Sequence, residues 1–244
     1  MTNRLRLLQL SKLLDVTRLN DADDAGQMVG WLNQQPQLPV AVAAYCVYPH
    51  FLPQLSQFVG QRDQPVALAT VVNFPDGELP ISDVCQQITA ALAAGATEID
   101  CVMPYQALLR GEQQFVSEFL ADVRRCCGSH CLKIIIESGE LITAQQVAKA
   151  TELAIASGAD FVKSSTGKVA IGITEEAARI MLTIIAAADR TVGFKASGGV
   201  RTVAQALQLI DLYEQITGLT ATSATMRVGA SALVMELADA LDNK

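Results

Sequence analysis

The chain has 244 residues, close to the ~250 of one (β/α)8 barrel and near the upper limit for a single hydrophobic core. Half of them are hydrophobic and 18% are charged, which excludes a disordered or low-complexity chain. The formal charge of −7 argues against nucleic-acid or anionic-membrane partners, but not against an anionic small molecule, which needs only a local basic pocket.

In chain order, the charged N-terminal stretch MTNRLRLLQLSKLLD lacks the continuous apolar segment of a secretory signal and predicts a short N-terminal amphipathic helix. Strand-like runs then recur at residues 13–16, 40–46, 66–72, 98–102, 132–137, 160–164, 191–195 and 226–230. Helical periodicity fills the intervals, most clearly over 82–94, 144–157, 174–188 and 203–216. Ser82 and Thr174 stand where N-caps belong, and Glu175 and Glu176 suit the positive end of a helix dipole. Gly95 and Gly158 stand at helix C-termini, each followed at once by a strand. No stretch approaches the ~18–20 apolar residues of a membrane span.

One βα unit per roughly 30 residues is the cadence of a parallel sheet with crossover helices. An open sheet binding a dinucleotide should carry G-x-G-x-x-G, which is absent, and the P-loop pattern fails at Val162 and Val169 around Gly167-Lys168. The expected fold is therefore α/β, one closed (β/α)8 barrel domain spanning residues 1–244 with a short N-terminal helix. Six cysteines without a secretory signal point to a reducing compartment, the cytoplasm. With only His50 and His130 available, and the cluster Cys126-Cys127-Gly128-Ser129-His130-Cys131 matching no C-x2-C pairing, those cysteines read as unpaired packing thiols and no metal site is expected.

Chemistry in such a barrel belongs at the C-terminal strand ends. Two of the seven lysines, Lys163 and Lys195, end apolar strands there, and alternation aims both inward with Phe161 and Gly193. On neighbouring strands about 4.8 Å apart the two amines repel each other, and burial adds to the repulsion. Both effects are expected to depress a lysine pKa, as a nucleophilic amine requires. Three glycine-bearing loops follow: Gly167-Lys168, Gly198-Gly199-Val-Arg201 and Gly229-Ala-Ser231. Their backbone N–H groups, helix N-termini and two cations suit a phosphate. Asp100 ends the fourth strand, either as a proton-shuttling carboxylate or as an ion-pair anchor for Lys163, Lys195 or the inward-facing Lys133. Asp15 and Thr17 at the first strand end fit either substrate contact or a cap, and Cys46 reads as small packing.

The segments DFVKSSTGKVA (160–170), VGFKASGGVRT (192–202) and EIDCVMPYQALLRG (98–111) resemble the deoxyribose-phosphate aldolase family, as do NFPDG (73–77) and LLDVTRLN (13–20). The resemblance runs in order through nearly the whole chain. It implies a cofactor-free class I aldolase cleaving 2-deoxy-D-ribose 5-phosphate into acetaldehyde and D-glyceraldehyde 3-phosphate. Lys163 would form the Schiff base, Lys195 would lower its pKa and Asp100 would relay protons. Gly167, Lys168, Gly198, Gly199, Arg201, Gly229 and Ser231 would hold the phosphate, with Asp15 and Thr17 lining the pocket. The partners implied are a phosphorylated sugar and aldehydes, with a homodimer allowed. Three departures stand out: Ala196-Ser197 replaces the Pro-Ala of some members, Ala232 replaces a second serine, and the chain ends Asp242-Asn243-Lys244 without the C-terminal tyrosine of others. The last bears on the rate of enamine protonation, not on the reaction class. A transaldolase-like Schiff-base barrel and a non-catalytic phosphosugar-binding barrel are the competing readings.

Overall fold

Eight parallel strands close on themselves in sequence order, each paired to the next and the last to the first. They are β1 (Leu14–Arg18), β2 (Ala44–Val47), β3 (Ala67–Val72), β4 (Glu98–Val102), β5 (Cys131–Ile135), β6 (Phe161–Lys163), β7 (Gly193–Ser197) and β8 (Met226–Ala230). Helices α1 (Asn3–Leu13), α2 (Ala25–Asn33), α3 (Leu52–Val59), α4 (Ile81–Ala93), α5 (Tyr105–Leu109), α6 (Gln113–Cys127), α7 (Ala144–Ala156), α8 (Glu175–Ala186), α9 (Val203–Thr217) and α10 (Leu233–Asp242) surround the barrel. This computed structural model describes residues 3–62 and 64–242; Asn243 and Lys244, on which the C-terminal departure named above falls, lie outside the described residues.

The closed (β/α)8 barrel is the fold that the strand cadence predicts. Two strands match the sequence reading to the residue, and others shift. β2 begins at Ala44 rather than at residue 40, and β7 covers Gly193–Ser197, so Lys195 lies mid-strand. Periodicity marks a run of apolar residues without showing where ladder pairing starts, which only the neighbouring strand decides.

Local chemistry sets the helix starts. Thr143 and Thr202 form capping boxes with Gln146 and Gln205, and Thr174 accepts a hydrogen bond from the Ala177 N–H. Ser82 is not the cap expected of it. Pro80 is, because its carbonyl already accepts from the N–H groups of Asp83 and Val84, and the helix starts one residue before Ser82. At the other ends, Gly95 and Gly158 take the left-handed φ values of 96° and 87° that glycine tolerates.

The main core lies between the outer faces of the strands and the inner faces of the helices. There Ile99, Leu132, Ile134, Val162, Phe194 and Val228 are buried with helical residues such as Ile88, Leu120, Ala154, Met181 and Ile210. One expectation about the cysteines is overturned. Cys85 on α4 and Cys126 on α6 form a disulfide across neighbouring helices, their Cα atoms 5.6 Å apart. They lie 41 residues apart in sequence, so no spacing motif reveals them. The other four cysteines are free, with Cys46, Cys101 and Cys127 buried and Cys131 half-buried.

Candidate active site

Inside the barrel, alternation divides the lumen into two unlike halves. β2 and β3 turn small residues inward, and Ala44, Cys46, Ala69 and Val71 form their own apolar cluster. Burial, followed by the nearby Asp100 carboxylate, pushes the Cys46 thiol up to about 11, so it stays protonated near neutral pH. The remaining strands carry charge: Glu98 and Asp100 on β4, Lys133 on β5, Lys163 on β6, Lys195 on β7, Arg227 on β8 and Asp15 on β1. Phe161 fills the lumen beneath Lys163, its ring 5.3 Å from the Arg227 guanidinium. Gly193 makes that possible, since a Cβ there would come within 2.2 Å of the Phe161 ring.

Lys163 and Lys195 stand directly opposite each other in the β6–β7 register, as parity predicts. Asp100 lies between them. Its Oδ2 accepts from Lys163 at 2.8 Å and from Lys195 at 2.7 Å, while its Oδ1 accepts from Lys133 at 2.8 Å. Lys133 also meets Glu98 at 2.6 Å, and Lys195 meets Asp15 at 2.6 Å. Arg227 closes the network beneath, 2.7 Å from Asp15 and 2.9 Å from Glu98. Four cations thus face three carboxylates, so the fully ionised network carries one surplus positive charge. Lys163 pairs with Asp100 alone, whereas Lys133 and Lys195 each pair with at least two carboxylates.

This geometry corrects the electrostatics expected of the lysine pair. Burial does oppose the charge on Lys195, but Asp100 and Asp15 outweigh it and raise the amine from 10.5 to about 12. Lys133 is likewise held well above the usual range: burial opposes its charge, and Asp100, Glu98 and Asp15 overcome it. Burial would lift the Asp100 carboxyl, yet Lys133, Lys163 and Lys195 hold it well below the ordinary carboxylate value. At rest, therefore, Lys195 is held as a cation and Asp100 as an anion. The mutual repulsion anticipated for the two amines is cancelled by carboxylates that come from other strands.

Asp15 joins the same network from the first strand. Its side chain is fully buried in the lumen, held ionised against the cost of burial by Lys195 and Arg227, and it meets the site through Lys195 at 2.6 Å. Thr17, two residues on, is half-buried, and its hydroxyl donates to the Asp15 carbonyl at 2.9 Å. Glu98 and Arg227 were missed as site residues. The period-2 alternation that exposed Lys163 would have found them, since each lies two residues before a residue already singled out, Asp100 and Gly229.

The three glycine loops gather at the C-terminal mouth. Gly167 and Gly198 come from adjoining loops, with a Cβ on Gly167 falling 3.9 Å from the Gly198 Cα. Gly167, Gly198 and Gly199 all have positive φ, between 77° and 87°. Gly198 has a packing reason as well, because a Cβ there would press to 2.9 Å on Gly172 and Ser165. Gly229 faces the Lys195 side chain, and a Cβ there would lie 3.2 Å from Cε. Ser231 is exposed just before α10. The two cations differ. Arg201 is exposed, and its N–H donates to Gln205. Lys168 instead reaches across the mouth to Asp21, 2.8 Å away, over the Tyr48 ring. The Gly167 and Lys168 N–H groups donate to the Ser165 and Thr166 hydroxyls, so the loop holds its donors in place with its own side chains.

A closed parallel barrel with three buried lysines around one carboxylate below its C-terminal mouth has the architecture of a barrel enzyme, whose site lies at that end. Residues 12–226 match the DeoC/LacD family aldolases; the chain belongs to that family and is an aldolase. Among solved structures, it is similar to a candidate deoxyribose-phosphate aldolase from Coccidioides immitis, at 25% identity and a TM-score of 0.81, covering 94% of this chain and 86% of that one. A candidate deoxyribose-phosphate aldolase from Toxoplasma gondii ME49 superposes with a TM-score of 0.88 at 21% identity, over 98% of this chain and 95% of its own. The tetrameric deoxyribose phosphate aldolase from Aeropyrum pernix gives 0.76 at 20% identity, over 99% of both chains. The last two likenesses speak for the fold. No helix among the described residues is long and apolar enough to cross a membrane.

Proposed function

We propose that this aldolase reversibly cleaves 2-deoxy-D-ribose 5-phosphate to acetaldehyde and D-glyceraldehyde 3-phosphate through a Schiff base on Lys163. The carrying observation is that Asp100 Oδ2 is shared by Lys163 and Lys195 at 2.8 and 2.7 Å, at the open end of an aldolase-family barrel. Loss of one proton from Lys163 leaves three cations facing three carboxylates, so the neutral amine that attacks the aldehyde also balances the buried charge.

Lys163 Nζ adds to C1 and water leaves, giving an iminium that restores the surplus positive charge. A proton leaves the C3 hydroxyl, the C2–C3 bond breaks and its electrons move into the iminium, forming an enamine. D-glyceraldehyde 3-phosphate departs; protonation of C2 and hydrolysis then release acetaldehyde and return the Lys163 amine. Asp100, touching both amines, carries protons between Lys163 and Lys195. The two-carbon unit packs on the small apolar residues Ala44, Cys46, Ala69 and Val71, opposite the charged wall. Gly167, Lys168, Gly198, Gly199, Arg201, Gly229 and Ser231 receive the phosphate, with Lys168 exchanging Asp21 for it and Thr17 at the rim.

Borohydride with acetaldehyde should leave a reduced two-carbon adduct on Lys163, located by peptide mass spectrometry. An adduct only on other lysines would remove the Schiff-base assignment. A homodimer, a cytoplasmic location and a single domain over residues 1–244 belong to the same reading; light scattering tests the first.

A further inference from the structure

We infer that Glu137 is a positioning residue for the phosphate end of the substrate, pinning the loop after β6 from below. The inference rests on the phosphate reading of that loop. Glu137 is wholly buried and follows β5 with a φ of 49°, a left-handed conformation uncommon outside glycine. The ladder explains the turn. Ile136 N–H donates to the Lys163 carbonyl and Ser138 N–H to the Ser164 carbonyl, so two residues advance on one side for one on the other. Such a bulge re-aims a side chain, here toward the β6 loop. Both Glu137 carboxylate oxygens accept from the Thr166 N–H, at 3.3 and 3.2 Å.

Among the described residues no cation lies within ion-pair distance of Glu137. A buried carboxylate on a strained backbone is costly, and such cost clusters where a site must be held in shape. What it holds is the residue before Gly167-Lys168. The same turn grips the loop a second time: a Cβ on Gly139 would come within 1.7 Å of the Ile171 carbonyl oxygen. From the far side, the Ser164 hydroxyl donates to the Ser197 carbonyl and the Ser197 hydroxyl to the Ser165 carbonyl. The β6 loop is thus clamped between β5 and β7 with its glycine at the mouth, and Glu137 supplies the only charged anchor in that clamp among these bonds.

Glu137→Ala should raise KM for 2-deoxyribose 5-phosphate by about tenfold, the effect of one hydrogen bond, and leave kcat/KM for unphosphorylated 2-deoxyribose within about twofold. Amide hydrogen exchange over residues 164–170 should quicken in the same variant. Glu137→Gln, which keeps an acceptor for Thr166, should recover most of both. If Glu137→Ala does not fold, Gly139→Ala, which displaces Ile171, should show the same phosphate-selective rise in KM. Equal losses on both substrates, or unchanged KM and unchanged exchange in a folded variant, would overturn the inference. Borohydride trapping with acetaldehyde separates the two readings. If the unmodified enzyme forms no Lys163 adduct, the Schiff-base reading fails while the exchange data still decide on Glu137; normal trapping with an unmoved KM rejects Glu137 alone.

Discussion

Lys195 is the residue on which charge and chemistry meet. It contributes a cation that Asp15 and Asp100 hold in place at any neutral pH, within 2.6 and 2.7 Å. Removing it as Lys195→Leu takes away one of the three lysines beside Asp100 and leaves that carboxylate to Lys163 and Lys133. The expected result is a kcat at least about a hundredfold lower and a pH–rate profile displaced to higher pH. A lowered rate with an unmoved profile would assign Lys195 a purely structural part. Lys168 and Arg201 belong to a different expectation. Lys168→Ala and Arg201→Ala should mainly raise KM for the phosphorylated substrate, and equal loss on 2-deoxyribose would remove the phosphate assignment. Lys168→Ala also breaks the contact with Asp21, whose carboxyl is lowered by that hydrogen bond.

At the scale of elements, β6 and β7 are matched through one glycine. A methyl on Gly193 meets the Phe161 ring at 2.2 Å, and the ring is walled in by Arg227 and the strand below. Gly193→Ala should cost roughly 1–3 kcal/mol, the range for overpacking a closed core, measured by urea unfolding. Phe161→Leu in the same background should recover part of that loss; a neutral Gly193→Ala would show that the ring can move aside. The Cys85–Cys126 link joins α4 to α6 around the segment that carries β4, and so Glu98 and Asp100. Closing a loop of 41 residues in the unfolded chain contributes at most about 4 kcal/mol by chain entropy. Reduction, or Cys85→Ser, should therefore lower Tm by up to roughly 8–16 °C at this chain size while kcat holds. Calorimetry with and without reductant checks this, and an identical Tm would mean the link does not persist in solution.

For the whole molecule, the lumen network makes stability depend on pH at both extremes. Lys195 has its amine raised from 10.5 to about 12, so its contribution, about 2 kcal/mol, is complete below 10.5 and lost as pH climbs through about 12. Asp15 and Asp100 are lowered, so theirs is complete above the ordinary carboxylate value of 3.8 and lost as pH falls below it. Urea unfolding across pH should show a plateau between these limits. An Asp100→Asn variant should be strongly destabilised, by about 3–5 kcal/mol, because three lysines lose their shared anion. A variant as stable as the parent would mean that water, not the carboxylate, balances those lysines. The net charge of −7 over the whole chain says nothing of this interior, where four basic side chains face three carboxylates.

What the amino-acid order determines by itself is what depends on short range. The βα cadence, the threonine caps with a glutamine three residues on, the glycines at helix ends and the inward parity of Lys163 and Lys195 all follow from local conformational chemistry and a period of two. The family likeness was legible there too, because it is carried by contiguous motifs. The tertiary structure decided whatever depends on distance through space. Asp15 and Asp100 lie 85 residues apart in the chain yet both meet Lys195, and that meeting offsets the repulsion between the two amines that strand parity predicts. The disulfide partner of Cys126 and the bond from Thr166 to Glu137 belong to the same class. Coulomb energy inside a barrel is set by which side chains the closure brings within about 3 Å, and sequence separation carries no record of that.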